Sequence, residues 1–187
     1  TAYGLTLNNW RFGAKWGLIL ALILDTTLIF TGLLFTELKI PENAINTIIF
    51  QLFLVGFSEE LLFRGYFQSR LNEVFEKKFH LKGFVFGWGL IITSLLFALA
   101  HLLNPFNPLI GQFDLDWVAG LITIIGGLFF GLMREKTGSI LMPVIVHGSM
   151  FVYYLNPTVP LLAFALAWFI NGRLLFRVVS YASIQKL

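Results

Sequence analysis

The sequence lacks cysteine altogether and contains few charged residues. Without cysteine the chain has no disulfide bond, no zinc site with cysteine ligands and no cysteine nucleophile. Charged residues make up 12% of the chain, whereas soluble domains average about 25%. Hydrophobic residues make up 57% and the mean hydropathy is +0.81. This composition excludes an ordinary soluble domain and indicates an integral membrane protein.

Long apolar tracts recur along the 187 residues, and most are long enough to cross a bilayer, which takes roughly 20 residues. They lack the alternation that marks the strands of a transmembrane β-barrel. We therefore expect an all-α, polytopic transmembrane bundle that forms one domain over residues 1–187. Six spans are predicted at about residues 14–35, 44–67, 84–103, 117–134, 139–155 and 158–179. The chain begins with threonine rather than methionine, which leaves room for further helices before residue 1.

Basic residues fall mostly on one side of the membrane if the six spans alternate in direction. That side carries Arg11, Lys15, Arg70, Lys77, Lys78, Lys82, Arg134, Lys136, Arg173, Arg177 and Lys186. The opposite side carries Lys39, together with Asp114 and Asp116. Because positively charged loops face the cytoplasm, we expect both termini of this segment to be cytoplasmic. We expect a multi-pass protein of a prokaryotic plasma membrane, with membrane lipids as partners and no nucleic-acid partner.

Ionisable residues interrupt three of the apolar tracts. Glu59 and Glu60, with Arg64 four residues after the second glutamate, lie within FQLFLVGFSEELLFRGYF, while His101 and His147 lie in later tracts. Ionisable side chains inside a membrane span are costly and usually serve a function. Carboxylates and imidazoles are common general acids and bases. The pattern suggests a hydrolytic centre built within the membrane.

Helix geometry assigns different tasks to the two glutamates. Glu60 and Arg64 are separated by four residues and share a helix face, so we expect them to form a structural ion pair. Glu59 points elsewhere and is the free carboxylate. Spans two and three form an antiparallel hairpin centred near residue 80, which brings His101 to the depth of Glu59. The sequence leaves the depth of His147 relative to Glu59 open.

The fifth span is expected to pack against the fourth through small residues. The turn between these two spans lies near Gly138, which places His147 opposite about residues 127–131. That stretch carries Gly127 and Gly131, and small residues at this spacing allow close helix packing in membranes.

Three motifs, in this order, resemble those of one known family. Residues 59–64 match EExxxR, residues 97–101 match FxxxH, and His147 opens a third motif that is usually HxxxN or HxxxD. Over about residues 50–155 the chain resembles the CPBP intramembrane proteases. These are also called the CAAX protease and bacteriocin-processing or Abi family, and they include the Rce1-type prenyl-protein endopeptidases.

The resemblance implies an intramembrane endopeptidase whose substrate is a membrane-associated peptide or a lipid-modified protein. Glu59 would activate a water with the help of His101. His147, with the polar residue four positions later, would stabilise the oxyanion. The family has been described both as metal-dependent and as using a metal-free glutamate mechanism. We expect no cofactor.

One position departs from the family pattern. Phe151 stands four residues after His147, where Asn or Asp is usual, and its ring cannot donate a hydrogen bond. Asn104 is the first candidate for a substitute donor, and Ser149 and Tyr154 are weaker ones. The departure also supports an alternative function, in which the chain is a catalytically weak or inactive membrane immunity or scaffold protein.

Two further interpretations stay open at the level of sequence. Glu59, His101 and His147 are suitable ligand types for a catalytic zinc ion, but no HExxH spacing supports that site. Glu59 and His101 would also serve as relays in a proton or ion translocator, although we find no inverted repeat of the kind that many transporters carry.

Overall fold

The computed structural model describes residues 3–35, 42–81, 84–150 and 169–174. Within these ranges the chain is a bundle of helices with one small β-hairpin, which confirms the all-α membrane fold class. In our labels the elements are α1 (Trp10–Phe35), α2 (Ala44–Val74), β1 (Lys78–Leu81), β2 (Phe84–Gly87), α3 (Trp88–Leu102), α4 (Trp117–Thr137) and α5 (Leu141–Ser149). A short 3-10 turn (Pro108–Ile110) lies between α3 and α4.

The predicted count of six spans is not confirmed. Within the described ranges three helices are long and apolar enough to cross a membrane, and they are Trp10–Leu34, Ala44–Val74 and Trp117–Thr137. Helix α3 has 15 residues, fewer than the roughly 20 that a span takes. Helix α5 is described as far as Ser149, and residues 169–174 are helical. The remainder of the predicted fifth and sixth spans lies outside the described residues.

A β-hairpin takes the place of the predicted helical start of span three. Strands β1 and β2 pair in antiparallel register, with Phe79 opposite Phe86 and their rings stacked 5.5 Å apart. Phe79 also contacts the ring of Trp88, the first residue of α3. Hydropathy alone does not separate a short apolar strand from the end of an apolar helix, so residues 84–87 were predicted as membrane helix.

Helix α2 runs unbroken from Ala44 to Val74 but contains two π-helical segments. π-Helical segments at Phe50–Val55 and Leu61–Phe67 flank a single α-helical turn at Gly56–Glu60. The wider turns shift the angular position of every later side chain, and such π segments are frequent at functional sites. The two glutamates therefore lie on a short α-helical stretch between two irregular ones.

The polarity of α2 is the reverse of that in a soluble protein. Its buried residues are polar or glycine, namely Gln51, Gly56, Glu60, Arg64, Gly65 and Gln68. Its large exposed residues are hydrophobic or aromatic, namely Ile45, Ile49, Phe50, Phe53, Leu54, Phe57, Leu62, Tyr66 and Val74. A helix with a polar inner face and an apolar outer face fits a membrane-spanning helix whose outer face meets lipid tails.

Glycines bring two pairs of helices close together, α2 with α5 and α4 with α3. A Cβ atom on Gly56 would lie 2.7 Å from the Cα atom of Gly148, so α2 and α5 touch backbone to backbone. A Cβ on Gly127 would lie 3.0 Å from the Cα of Ser94. The small residues of α4 therefore pack against α3, whereas the sequence placed them against the fifth span.

Local sequence features set the ends of α4. The Asp116 side chain accepts a hydrogen bond from the Ala119 backbone N–H at 2.9 Å, a standard N-cap. At the other end Gly138 has φ +69°, which permits the left-handed residue that ends many helices. The apolar core lies between α4 and the helices α1 and α5, around Leu24, Met133 and Val146.

Candidate active site

Glu60 and Arg64 form the buried ion pair that their spacing predicts. The carboxylate and guanidinium are 0% and 1% exposed, and Glu60 Oε1 lies 3.1 Å from Arg64 Nη1. Charges removed from water to this extent are costly unless they are paired. The pair therefore fixes both side chains on the inner face of α2.

Aromatic rings surround the Arg64 guanidinium on its other sides. Its carbon atom lies 4.2 Å from the ring centre of Phe97, 5.3 Å from that of Phe130 and 5.8 Å from that of Phe63. Ring faces attract cations at such distances. Phe97 is the first residue of the FxxxH motif, so the structure gives that position a physical role: it shields the buried cation.

Glu60 has a second partner that the sequence did not predict. His147 Nδ1 lies 2.9 Å from Glu60 Oε1, and because a carboxylate oxygen accepts, the Nδ1–H donates. The imidazole of His147 also stacks on the ring of Phe130 at 4.9 Å. These contacts fix the His147 ring and turn its other nitrogen, Nε2, towards Glu59.

His101 is oriented in a comparable way by its own helix. Its Nδ1 lies 2.9 Å from the Phe97 carbonyl oxygen, which can only accept a hydrogen bond. The two rings of Phe97 and His101 are also in contact, with centres 4.5 Å apart. A neutral His101 therefore carries its proton on Nδ1, and its Nε2 is an acceptor.

Glu59 lies between the two histidines. Its Oε2 atom is 4.0 Å from His101 Nε2 and 3.8 Å from His147 Nε2. Both separations exceed the range of a direct hydrogen bond. Glu59 Oε2 is buried and has no hydrogen-bond partner among the described residues. The structure thus brings together the three side chains that the sequence singled out.

A cavity of about 240 Å³ opens beside these groups. Glu59, His101 and His147 line it together with Asn104, the proposed substitute donor, which is exposed. The other described residues that line it are Phe50, Gln51, Val55, Phe97, Ala119, Ile122, Thr123, Gly126, Phe130 and Met150. Among the described residues, the cavity therefore combines one carboxylate and two imidazoles with a largely apolar wall.

The other two candidate donors have different positions. The Ser149 hydroxyl donates to the Val146 carbonyl oxygen at 2.9 Å and lies 3.4 Å from an Asp25 carboxylate oxygen. Ser149 is not among the cavity-lining residues. Tyr154, like Phe151, lies outside the described residues, so its position is not assigned.

Gln51, Thr123 and Phe130 line the cavity but were not singled out from the sequence. Gln51 carried a usable signal, because it is an uncharged polar residue in the same apolar tract as Glu59. Phe130 lies within the GGLFFG stretch, whose glycines indicate helix packing and give no sign that the ring of Phe130 lines a cavity. No feature of the sequence distinguishes Thr123 from other helical threonines.

The geometry does not match a tetrahedral zinc site. Ligand atoms about 2.1 Å from zinc lie about 3.4 Å from one another in a tetrahedral site, less than the 3.8 and 4.0 Å found here. Within residues 3–35, 42–81, 84–150 and 169–174, no group of three or more His, Cys, Asp or Glu side chains is placed to hold a metal ion. The expectation of a cofactor-free centre stays a prediction.

Comparison with known proteins supplies the family. The family model described as Type II CAAX prenyl endopeptidase Rce1-like matches residues 27–153, well over half of the chain. The matched region contains Glu59, His101 and His147, the ionisable residues that line the cavity among those described. No curated protein and no solved structure matches the chain. The apolar spans, the inward-facing polar residues and this match lead to one conclusion: the chain is an integral membrane protein that belongs to the Rce1-like family of CAAX-type intramembrane endopeptidases.

Proposed function

We propose that the chain hydrolyses a peptide bond by means of a water activated by Glu59. Membership of the family supports protease activity in general. The observation that carries the finer proposal is the position of Glu59 Oε2, which is buried between two imidazole nitrogens at 3.8 and 4.0 Å.

The hydrogen bond of His101 argues for a bridging water. Neutral His101 donates its Nδ1 proton to the Phe97 carbonyl oxygen, so its Nε2 atom faces Glu59 as an acceptor. A water that lies about 2.8 Å from Glu59 Oε2 and from His101 Nε2 subtends an angle of about 90° across their 4.0 Å separation. That angle is close to the one between the two O–H bonds of water. Glu59 and His101 would then hold a water with its lone pair free to attack.

His147 is the better oxyanion donor of the two histidines. Its Nδ1–H donates to the Glu60 carboxylate, whereas that of His101 donates to a neutral carbonyl. A carboxylate at Nδ1 stabilises an imidazolium, as in the serine protease triad. With both histidines neutral, Glu59, Glu60 and Arg64 leave one net negative charge, which a protonated His147 balances. Protonated Nε2 then donates to the negative oxygen of the tetrahedral intermediate.

The reaction balances with these groups alone. Glu59 takes one proton from the water while the resulting hydroxide bonds to the substrate carbonyl carbon. The carbonyl oxygen becomes an oxyanion against His147. Glu59 then gives the proton to the leaving amine as the carbon–nitrogen bond breaks. The apolar wall of the cavity suits a peptide that carries a lipid or an apolar side chain.

The test uses the full chain, purified in detergent, with a farnesylated and internally quenched CAAX peptide as the reporter. Glu59→Gln removes the base and keeps the shape, and we expect kcat to fall by at least about 100-fold. Glu73→Gln is the matched control, because Glu73 is an exposed glutamate that pairs with Arg70 on the same helix. Normal turnover by the Glu59 variant would rule out the proposal.

The alternative is a catalytically weak or inactive member of the family that acts as a membrane immunity or scaffold protein. The feature that favours it is Phe151 in the third motif. In that case Glu59→Gln leaves the cellular phenotype unchanged, whereas a packing change at Gly127 abolishes it.

The single domain over residues 1–187, the cytoplasmic termini and the prokaryotic plasma membrane stay predictions.

A further inference from the structure

Gln51 is a buried polar residue in the wall of the cavity. It is 6% exposed and lies in the first π-helical segment of α2. It lines the cavity with Glu59 and His147. Its side chain makes no hydrogen bond with any described residue. The Gln51 amide atoms are not among the fully enclosed side-chain atoms that lack a partner, so the amide is accessible to a ligand in the cavity.

The packing of α5 on α2 brings the backbone around Gln51 close to the backbone around His147. A Cβ on Gly148 would lie 3.1 Å from the Cα of Leu52. Gly148 follows His147 in the chain and Leu52 follows Gln51, so the close contact of the two backbones brings both cavity-lining residues to one end of the site. The Gln51 carbonyl also accepts the N–H of Gly56, which holds the residue in the helix backbone.

The other polar residues of the cavity fit the same task less well. The Thr123 hydroxyl is committed to the Ala119 carbonyl at 2.7 Å and approaches the Gly120 carbonyl at 3.2 Å. Asn104 is exposed, so water competes for its amide. Gln51 has two N–H donors, is 6% exposed and lines the cavity together with the reacting groups.

We propose that the Gln51 side-chain amide is the second oxyanion donor, beside His147, and that it supplies the hydrogen bond that Phe151 cannot. This inference rests on the proposed proteolytic function. The amide N–H would contact the substrate carbonyl oxygen and bind it more strongly once negative charge develops there. Gln51 is then a catalytic residue that acts on the transition state rather than on substrate binding.

The test replaces the amide with groups of similar size that cannot donate. Gln51→Met and Gln51→Leu are compared with the unmodified chain on the farnesylated, quenched CAAX peptide in detergent. Loss of one oxyanion donor lowers kcat by about 100- to 1000-fold in other enzymes. We expect a fall of that size, with KM within about threefold and an unchanged or higher melting temperature for the Met variant.

A rescue and a matched control make the result specific. Phe151→Asn added to Gln51→Met should recover at least about tenfold in kcat, because it returns the asparagine that is usual at this position of the third motif. Asn46→Leu is the matched control and should change kcat by less than about threefold, because Asn46 is an exposed amide on α2 that does not line the cavity. A large loss from Asn104→Leu together with normal turnover by Gln51→Met would overturn the proposal in favour of Asn104.

The same assay separates this inference from the function on which it rests. If the unmodified chain cleaves the reporter, Glu59→Gln does not, and both Gln51 variants do, then only the role of Gln51 is overturned. If the Gln51 variants lose melting temperature and activity in parallel, Gln51 is a packing residue and the inference is again wrong. If Glu59→Gln cleaves normally, or the unmodified chain does not cleave, the proposed function and the inference both fall.

Discussion

Gly56→Ala should separate the two helices that hold the candidate site. The added methyl carbon would lie 2.7 Å from the Cα and 2.8 Å from the backbone nitrogen of Gly148, whereas ordinary contact begins at 3.4 Å. The atoms it meets belong to backbone, so the helix α5 must move by about 0.7 Å or more, the difference between 3.4 and 2.7 Å. Overpacking of this kind costs typically about 1–3 kcal/mol.

The same displacement of α5 changes the position of His147 in the candidate active site. His147 precedes Gly148, and its Nδ1–H donates to Glu60 Oε1 at 2.9 Å. A shift of about 0.7 Å stretches this contact to about 3.6 Å, beyond hydrogen-bonding range. A misplacement of about 1 Å can cost about 100-fold in rate. We therefore expect kcat on the quenched CAAX peptide to fall by about 30- to 100-fold.

The assay pairs turnover with thermal unfolding in detergent. Gly172→Ala is the matched control, because a Cβ there meets no described residue within 4 Å and its φ angle needs no glycine. We expect normal turnover and an unchanged or slightly higher melting temperature for that variant. If Gly56→Ala keeps turnover within about threefold of the unmodified chain, the close contact of α2 with α5 does not position His147, and the reasoning is refuted.

Two further substitutions test the buried charges. Glu60→Gln removes the only carboxylate that pairs with Arg64 within the described residues and weakens the acceptor for His147, so the free energy of unfolding should fall by about 3–5 kcal/mol. The control Glu73→Gln, at the surface, should change the free energy of unfolding by less than about 0.5 kcal/mol. Equal effects of the two substitutions would contradict the pairing of Glu60 with Arg64. Phe97→Leu removes the ring 4.2 Å from the guanidinium and should lower stability by about 1–3 kcal/mol in chemical denaturation, whereas an unchanged midpoint would show that the ring does not support the cation.

Simple helix rules predicted part of the candidate site. Carboxylates and histidines inside apolar tracts marked Glu59, His101 and His147 without any alignment, and the structure places all three on one cavity. The spacing of Glu60 and Arg64 predicted their ion pair. Equal depth in a hairpin predicted that His101 approaches Glu59. Each of these inferences needs only the local geometry of one helix or of two sequential helices.

Contacts between helices that are distant in sequence could not be predicted in the same way. The hydrogen bond from His147 to Glu60 joins residues in α5 and α2, and it depends on how those helices slide and rotate. The π-helical segments on each side of Glu59 alter that rotation. Their i to i+5 hydrogen bonds leave no mark in hydropathy. The hairpin of β1 and β2 was missed because its strands are as apolar as the helix that follows.

Polar residues and glycines hold this bundle together on the inner face of α2. Lipid tails are as apolar as leucine, so burial of apolar side chains gives little force between helices in a membrane. Gln68 shows the consequence, since it donates to the Gly131 carbonyl at 3.1 Å and to a Glu135 carboxylate oxygen at 3.0 Å. Glu60 likewise links α2 to α5, because it accepts a hydrogen bond from His147. Helix association and the proposed chemistry therefore depend on one row of side chains, which runs from Gln51 to Gln68.

This shared dependence decides how any substitution in the row must be judged. A change at Glu60 removes a contact between helices and a group of the proposed mechanism at once, so loss of activity alone assigns it no role. Glu59 and Gln51 differ from Glu60 and Gln68, whose side chains hydrogen-bond to residues of other helices. Glu59 Oε2 has no hydrogen-bond partner among the described residues, and no described residue hydrogen-bonds to the Gln51 amide. Their replacement should lower kcat while leaving the melting temperature unchanged. That separation of rate from stability is what distinguishes a group that acts on the substrate from one that holds the helices together.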